Sequence, residues 1–145
     1  MDVKRITPEE TKSLLDSGDG YVYLDVRTVR EFEAGHVPGA KNIPFLDMDP
    51  MRGGMAPNPQ FVESVAKNFP KDAKLICGCQ QGHRSLMAAR MLLAAGFTSV
   101  VDMRGGFGGE MDNCGCMVFP GWAPRGLPTS GESKPEERYD SLKAR

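Results

Sequence analysis

The stretch KLICGCQQGHRS, residues 74–85, decides the architecture that we predict for this chain. Lys74 to Cys77 has the apolar character and the length of a buried strand. The polar turn Cys79 to His83 follows, and the segment from about Arg84 to Ala95 is predicted to be a helix that Gly96 closes. A strand that passes through a short turn into a helix is the repeating unit of α/β proteins, so the stretch predicts that class.

The same alternation extends along the chain on both sides of this unit. Thr7 with Glu10, and Thr28 with Glu31, have the spacing of capping boxes and predict two helix starts. Further strands are predicted over residues 21–26 and at 100–101, a brief extended segment up to residue 44, and another helix from residue 58. This order indicates a mainly parallel sheet.

Two segments are predicted to lie outside the core, one as a loop and one as a surface tail. Residues 47–58 are rich in proline and glycine, which favours a loop. Residues 130–145 are polar, and we expect a solvated surface tail, helical at most over residues 135–143. Because 145 residues suit one compact core, we predict a single domain over residues 1–129.

The charge balance excludes several classes of partner. The chain has eighteen basic and nineteen acidic residues, which gives a net charge of −1. A general nucleic-acid binder is distinctly basic. No apolar run approaches the roughly 20 residues that cross a bilayer. The first residues are polar and do not resemble a signal region. We therefore expect a cytoplasmic protein whose partners are neither nucleic acid nor membrane.

Cysteine is the unusual component, with four residues in two CxC pairs, Cys77/Cys79 and Cys114/Cys116. Cys79 comes at the carboxyl end of the predicted strand, where ligands bind in open α/β sheets. Backbone N–H groups of the turn, the helix start and Arg84 would there favour the nucleophilic thiolate. Gly82 would give the turn the conformational freedom it needs. On the residues alone, an inert buried cysteine is about equally well supported.

The wider pattern resembles the rhodanese family of sulfurtransferases. Cys79 to Ser85 is similar to the CxxGxRS active-site loop of that family. The second signature of the family is matched by LDVR at 24–27, EF at 31–32, GHVPGA at 35–40 and NIP at 42–44, and its closing pattern by GF at 96–97, GG at 105–106 and GLP at 126–128. The resemblance, closest to small single-domain members, implies a rhodanese-like α/β fold with helices on both faces of the sheet.

The resemblance also implies a mechanism. Cys79 would take sulfur from a small anionic donor such as thiosulfate and pass it, as a persulfide, to cyanide in an assay or to a thiol or protein cysteine in the cell. The residues expected to bind the donor and cradle the persulfide are Gln80, Gln81, Gly82, His83, Arg84 and Ser85. Asp25 and Arg27 would support this loop through buried hydrogen bonds. No cofactor and no metal are implied.

The sequence leaves two alternatives to this interpretation. Related cysteine phosphatases have an active-site loop one residue longer, Cys-x5-Arg, which fits a tetrahedral phosphate. In this chain Arg84 follows Cys79 in a Cys-x4-Arg loop, and the shorter loop favours sulfur over phosphate. A non-catalytic rhodanese-like module that binds a protein or senses redox state is the other alternative. The intact Cys, Gly and Arg of the loop argue for catalysis.

The remaining cysteines are predicted to differ in role. Cys77 is expected to be a buried strand thiol. Cys114 and Cys116 lie in a segment, residues 110–120, that we predict to be an insertion relative to the family pattern. A redox relay with Cys79, a zinc site, a loop disulfide and free thiols are all open for this pair, with zinc the least favoured because the spacing is not CxxC.

Overall fold

The protein is described by a computed structural model that covers residues 3–49, 51 and 53–144. The strands are β1 Arg5–Ile6, β2 Val22–Asp25, β3 Lys41–Asn42, β4 Leu46–Asp49, β5 Gly54–Pro57, β6 Lys74–Gly78, β7 Ser99–Met103, β8 Glu110–Met111 and β9 Met117–Phe119. The helices are α1 Pro8–Asp16, α2 Val29–Ala34, α3 Phe61–Asn68, α4 His83–Ala94 and α5 Tyr139–Leu142, with a 3-10 turn over Pro135–Glu137.

The central sheet has five strands in the order β1-β7-β6-β2-β3, and all its neighbouring pairs are parallel. β6 is the middle strand, with β2 on one side and β7 on the other. Strands of this kind end at one common edge of the sheet, so the turn that leaves β6 emerges at the centre of that edge. The predicted parallel α/β architecture is confirmed.

The core divides into two layers, one on each face of the sheet. Along β6, Leu75 and Cys77 pack with α3, α4 and α5, whereas Ile76 packs with α1, α2 and Trp122. This alternation follows from the two-residue period of a strand. Both faces are therefore covered by helices, as the family resemblance implied.

Both predicted capping boxes are present. At the start of α1, the hydroxyl of Thr7 accepts the N–H of Glu10 and the carboxylate of Glu10 accepts the N–H of Thr7. Thr28 and Glu31 make the same two bonds at the start of α2, each 3.1 Å long. Each box satisfies two N–H groups that the first turn of a helix leaves without a partner.

The predicted loop over residues 47–58 is wrong. β4 and β5 pair there as an antiparallel hairpin, with Met48 opposite Met55 and Leu46 opposite Pro57. A proline is tolerated in a two-stranded hairpin because each strand is an edge and has one side free of ladder bonds. The proline at position 50, which also favoured the loop, lies outside the described residues.

The segment predicted to be a solvated tail, residues 130–145, is mostly exposed over its described part, and its helical turns fall within residues 135–143 as the sequence allowed, but it is also anchored to the domain. Ser130 forms a bridge with His36, and Leu142 on α5 is 1% exposed within the core layer that contains α3 and α4. Asn68 donates to the carbonyl of Leu142, which ties α3 to α5. Tyr139 and Leu142 pack against this core layer, and Asn58 donates to the hydroxyl of Tyr139, so apolar and polar contacts together dock the segment.

Within the described residues, no helix combines the length and the apolar character that a membrane span requires.

Candidate active site

Cys79 lies in the turn between β6 and α4, with a residue exposure of 1%. Its Sγ accepts a hydrogen bond of 3.1 Å from the backbone N–H of Gly82. Gly82 has a φ of +105°, and a Cβ at this position would lie 3.1–3.2 Å from Arg5 and from the backbone of Gly105. The glycine thus allows the turn to aim an N–H at the sulfur, where negative charge is stabilised.

A second loop, residues 105–109, closes over the back of the cysteine turn. The N–H groups of Phe107 and Gly108 donate to the carbonyls of Cys79 and Gln80 at 2.7 and 2.9 Å. A Cβ on Gly106 would lie 2.5 Å from the carbonyl oxygen of Cys79, closer than atoms can approach. In the sequence, Gly106 is recognised only as part of the family's closing pattern. Its contact with the cysteine turn was not predicted, because residues 105–109 and the turn at Cys79 are far apart in the chain.

Asp25 and Arg27 form a buried ion pair at the end of β2. Arg27 donates from Nε and Nη2 to the Asp25 carboxylate, and both side chains are almost fully buried. The same guanidinium bonds to Gln80 Oε1 at 3.0 Å and to the carbonyl of Gly35 at 2.7 Å, and it lies over the ring of Phe107. Arg27 therefore holds the side chain of Gln80 in place from behind the pocket.

Arg84, on the first turn of α4, is paired with Glu31 of α2. Its two terminal nitrogens donate to the two carboxylate oxygens at 2.8 and 3.0 Å. Burial works to raise the pKa of Glu31, but hydrogen bonds from Arg84 and Thr28 outweigh it, and the net shift of the pKa is downward. The hydrogen bond from Arg84 to Glu31 also raises the pKa of the guanidinium.

The sequence predicted that Arg84 binds the donor; the structure places it in the pocket lining with its guanidinium already paired with Glu31. Glu31 was predicted only as a capping residue and as part of the EF motif, so its position at the site was missed. A residue 53 positions away can neutralise Arg84 only because the sheet brings the end of β2 beside the end of β6.

The cysteine opens into a pocket of about 300 Å³. Its lining residues are Glu31, Cys79, Gln80, Gln81, His83 and Arg84. A second pocket of about 450 Å³ adjoins it, shares Glu31 and Gln80, and is walled by Arg27 and Phe107. The structure thus gathers most of the predicted loop residues around one cavity, which is large enough for a small sulfur donor.

Two predicted loop residues do not line this pocket: Gly82, whose N–H donates to the cysteine sulfur, and Ser85. The Oγ of Ser85 is buried on α4 and, like Asp102 Oδ1 on β7, has no hydrogen-bond partner within the described part of the chain. Burial raises the pKa of Asp102 to about 6, against the opposing influence of Ser85 and of Arg5, which donates to Asp102 at 2.9 Å. Ser85 is therefore buried on α4 outside the pocket, where its side chain works to lower the pKa of Asp102.

The four cysteines have different surroundings. Cys77 is fully buried on β6, and burial raises its pKa well above the usual value for a thiol. Cys114 and Cys116 are exposed free thiols in the turn of the β8–β9 hairpin, where the carboxylate of Asp112 accepts both of their N–H groups at 2.9 Å. Neither lines the Cys79 pocket.

Among the described residues, no three His, Cys, Asp or Glu side chains cluster as metal ligands.

The comparison with protein families decides the identity of this arrangement. The rhodanese-like domain matches residues 7–109, which include the cysteine loop, the Asp25–Arg27 pair and Glu31. The chain belongs to the rhodanese-like family. The hairpin that carries Cys114 and Cys116 begins where the match ends, and its status as an insertion over residues 110–120 stays a prediction.

Individual rhodanese-like relatives agree with this assignment. The chain is 43% identical over 110 residues to "Thiosulfate sulfurtransferase 16, chloroplastic" of Arabidopsis thaliana, a match that covers 76% of this chain and 80% of that protein. It is 48% identical over 88 residues to the senescence-associated protein DIN1 of Raphanus sativus, which covers 61% of this chain and 47% of the relative. The chain thus spans about half the length of that second relative.

A solved structure gives the same fold. The crystal structure of Rv0390 from M. tuberculosis superposes with a TM-score of 0.75 at 24% identity, over 91% of this chain and 100% of that one. At this identity the likeness concerns the fold, and it agrees with the five-stranded parallel sheet of this rhodanese-like domain.

Proposed function

We propose that this rhodanese-like protein is a sulfurtransferase that carries sulfane sulfur as a persulfide on Cys79. The observation that carries the proposal is the hydrogen bond from the Gly82 N–H to Cys79 Sγ, made in a pocket at the central edge of the sheet. A backbone donor at the start of a twelve-residue helix stabilises negative charge on the sulfur, both before transfer and in the persulfide anion.

The reaction divides into two displacements. The Cys79 thiolate attacks the outer sulfur of thiosulfate, the S–S bond of the donor breaks, and sulfite leaves with the bonding electron pair. A thiol or protein cysteine, as thiolate, then attacks the outer sulfur of the Cys79 persulfide and releases the Cys79 thiolate. The side chains of Gln80, Gln81 and His83 would contact the donor, since they line the pocket.

Intact-mass measurement tests the proposal. The reduced native protein treated with thiosulfate should gain the mass of one sulfur atom, and reduction should remove it. Cys79→Ala should gain nothing, whereas Cys114→Ala, which leaves Cys79 in place, should still gain one sulfur atom on Cys79. If the native protein gains no sulfur from any donor, the non-catalytic module is favoured.

We also propose a relay role for the hairpin thiols. Asp112 holds Cys114 and Cys116 on one turn with both thiols exposed but outside the Cys79 pocket, so the relay requires the hairpin to approach the pocket. Either thiolate would then attack the outer sulfur of the Cys79 persulfide and release the Cys79 thiolate without net oxidation. Alkylation of Cys114 and Cys116 before and after sulfur loading tests the step. Equal labelling in the two states would contradict it.

The cytoplasm is our proposed compartment for this chain. Imaging of the fluorescently tagged protein in its native host tests this, and signal confined to an organelle would contradict it.

A further inference from the structure

We infer that Arg5 is a positioning residue for sulfur transfer: it holds the carbonyl of Gly82 so that the N–H of the same glycine stays directed at Cys79 Sγ. This role rests on the proposed sulfurtransferase function and deepens it, because it adds a residue that controls the cysteine turn from outside the pocket. Arg5 precedes residues 7–109, the range that matches the rhodanese-like domain.

The guanidinium of Arg5 joins two different partners. Its Nε donates to Asp102 Oδ2 at 2.9 Å, and its Nη2 donates to the carbonyl oxygen of Gly82 at 3.2 Å. Arg5 on β1 is paired in register with Asp102 on the parallel neighbour β7. Because a guanidinium is planar and rigid, the bond to Asp102 helps to fix the direction of the second bond, toward Gly82.

Asp102 is a firm anchor for this arginine. Its side chain is fully buried, whereas the side chain of Arg5 is 31% exposed. Burial raises the pKa of Asp102 to about 6, so at neutral pH and above the carboxylate is ionised and paired with Arg5. A charge-assisted bond to a buried carboxylate is stronger than a bond between neutral groups. The guanidinium is therefore held within reach of Gly82.

Gly82 is a position where such an external restraint matters. It is the N-cap of α4, has a φ of +105° and makes no side-chain capping bond. Glycine has the widest conformational freedom of any residue, so local sterics do not fix the direction of its N–H. This N–H is the donor to Cys79 Sγ. A bond at the carbonyl of the same residue limits rotation of the peptide planes that meet at Gly82, and so keeps the N–H on the sulfur.

The strand side of the cysteine turn is held by a different segment. N–H groups of the loop 105–109 donate to the carbonyls of Cys79 and Gln80. Arg5 provides the equivalent contact at Gly82, on the helix side of the turn. The backbone of the turn is thus fixed at both ends before a donor arrives, which is what a fast displacement at sulfur requires.

Arg5 and Asp102 line neither of the two pockets beside Cys79. A donor in those pockets therefore binds without their help. Loss of Arg5 should slow the attack of the Cys79 thiolate on the outer sulfur of the donor and leave donor binding intact. In kinetic terms, kcat should fall while KM stays the same, as for an interaction that acts only in the transition state.

Arg5→Met combined with Asp102→Asn is the direct test. The double change removes the arginine without leaving a buried charge unpaired, so the protein should remain folded, which urea denaturation checks. Turnover is measured at about pH 8, with thiosulfate as donor and cyanide as acceptor, where native Asp102 is ionised. We expect kcat to fall about tenfold or more and KM to change by less than about twofold.

Arg125→Met is the matched control. Arg125 also bridges a carboxylate and a backbone carbonyl, but these belong to Glu9 and Pro120. Its loss should leave kcat and KM unchanged. Arg5→Lys decides the matter if the double variant does not fold. An ammonium group can pair with Asp102 but lacks the planar fork that also reaches Gly82, so kcat should fall while stability stays close to native.

Amide hydrogen exchange tests the positioning without a donor. In both Arg5 variants the Gly82 N–H should exchange about tenfold faster or more than in the native protein, whereas the Gly115 N–H on the β8–β9 hairpin should not change. Native exchange at Gly82, or a native kcat, in a folded Arg5 variant would overturn the inference. If the native protein acquires no sulfur from thiosulfate, the proposed function fails, and the exchange result still decides whether Arg5 positions Gly82.

Discussion

The guanidinium of Arg27 donates to Gln80 Oε1 at 3.0 Å although 53 residues separate the two in the chain. This bond joins the end of β2 to the turn that carries Cys79. Because Arg27 is itself fixed by Asp25 and by the carbonyl of Gly35, the side chain of Gln80 is positioned before any donor arrives. Such preorganisation is what a transfer site needs.

Replacing Arg27 by methionine should strongly destabilise the fold. The change leaves the Asp25 carboxylate buried without its partner, so the free energy of unfolding should fall by about 3–5 kcal/mol. Urea denaturation measures this loss. Lys67→Met, which breaks the exposed pair with Glu63, should cost at most about 0.5 kcal/mol. A loss for Arg27→Met as small as that of the control would contradict the buried pair.

Gly106→Ala should damage both stability and sulfur loading. The added Cβ would meet the carbonyls of Cys79 and Gln80 at 2.5–2.6 Å, at a φ of +65°. We expect at least about 2 kcal/mol of destabilisation and slower persulfide formation, because the cysteine turn must shift. Gly115→Ala, with a φ of +80° but nothing within 4 Å, isolates the backbone cost, about 1 kcal/mol. Equal effects would show that the contact is unimportant.

Asp102 should make the protein less stable as the pH rises from about 4 to about 6. Its pKa is raised from 3.8 to about 6 in the folded protein, so the folded state holds a proton that the unfolded state has lost in this window. The destabilisation is complete above pH 6, with an upper bound of about 3 kcal/mol.

Asp102→Asn removes this titration. The difference in unfolding free energy between variant and native protein should therefore change with pH over the same window, in favour of the variant at higher pH. Asp19→Asn, which removes an exposed carboxylate, serves as the control. A pH-independent difference for Asp102→Asn would contradict the raised pKa.

The thiols outside the active site should differ in their reactivity. Cys114 and Cys116 are exposed, whereas Cys77 is fully buried and its pKa is raised by burial. Brief treatment with iodoacetamide at pH 8 should therefore label the hairpin pair and leave Cys77 unmodified. Peptide mass spectrometry measures each site, and denatured protein shows full labelling. Rapid labelling of Cys77 in the folded protein would contradict its burial.

The sequence by itself determined the elements whose signals are local. The capping boxes at Thr7 and Thr28 and the buried run before Cys79 each involve neighbouring residues, so short-range spacing was enough to predict them. The strand–turn–helix order then placed Cys79 at the carboxyl edge of a parallel sheet. The proposed roles of Cys79, Gly82 and Arg84 came from the family resemblance, because the local residues alone support an inert buried cysteine about equally well.

Only the tertiary structure determined which distant side chains and backbone groups these residues contact. The pairing of Arg84 with Glu31, the contact of Gly106 with the Cys79 turn and the docking of Leu142 join segments far apart in the chain. Spacing along a chain carries no information on such contacts, because they form only when distant elements pack together. The same reason explains the missed β4–β5 hairpin, in which cross-strand pairing outweighed the local preference of proline and glycine for a loop.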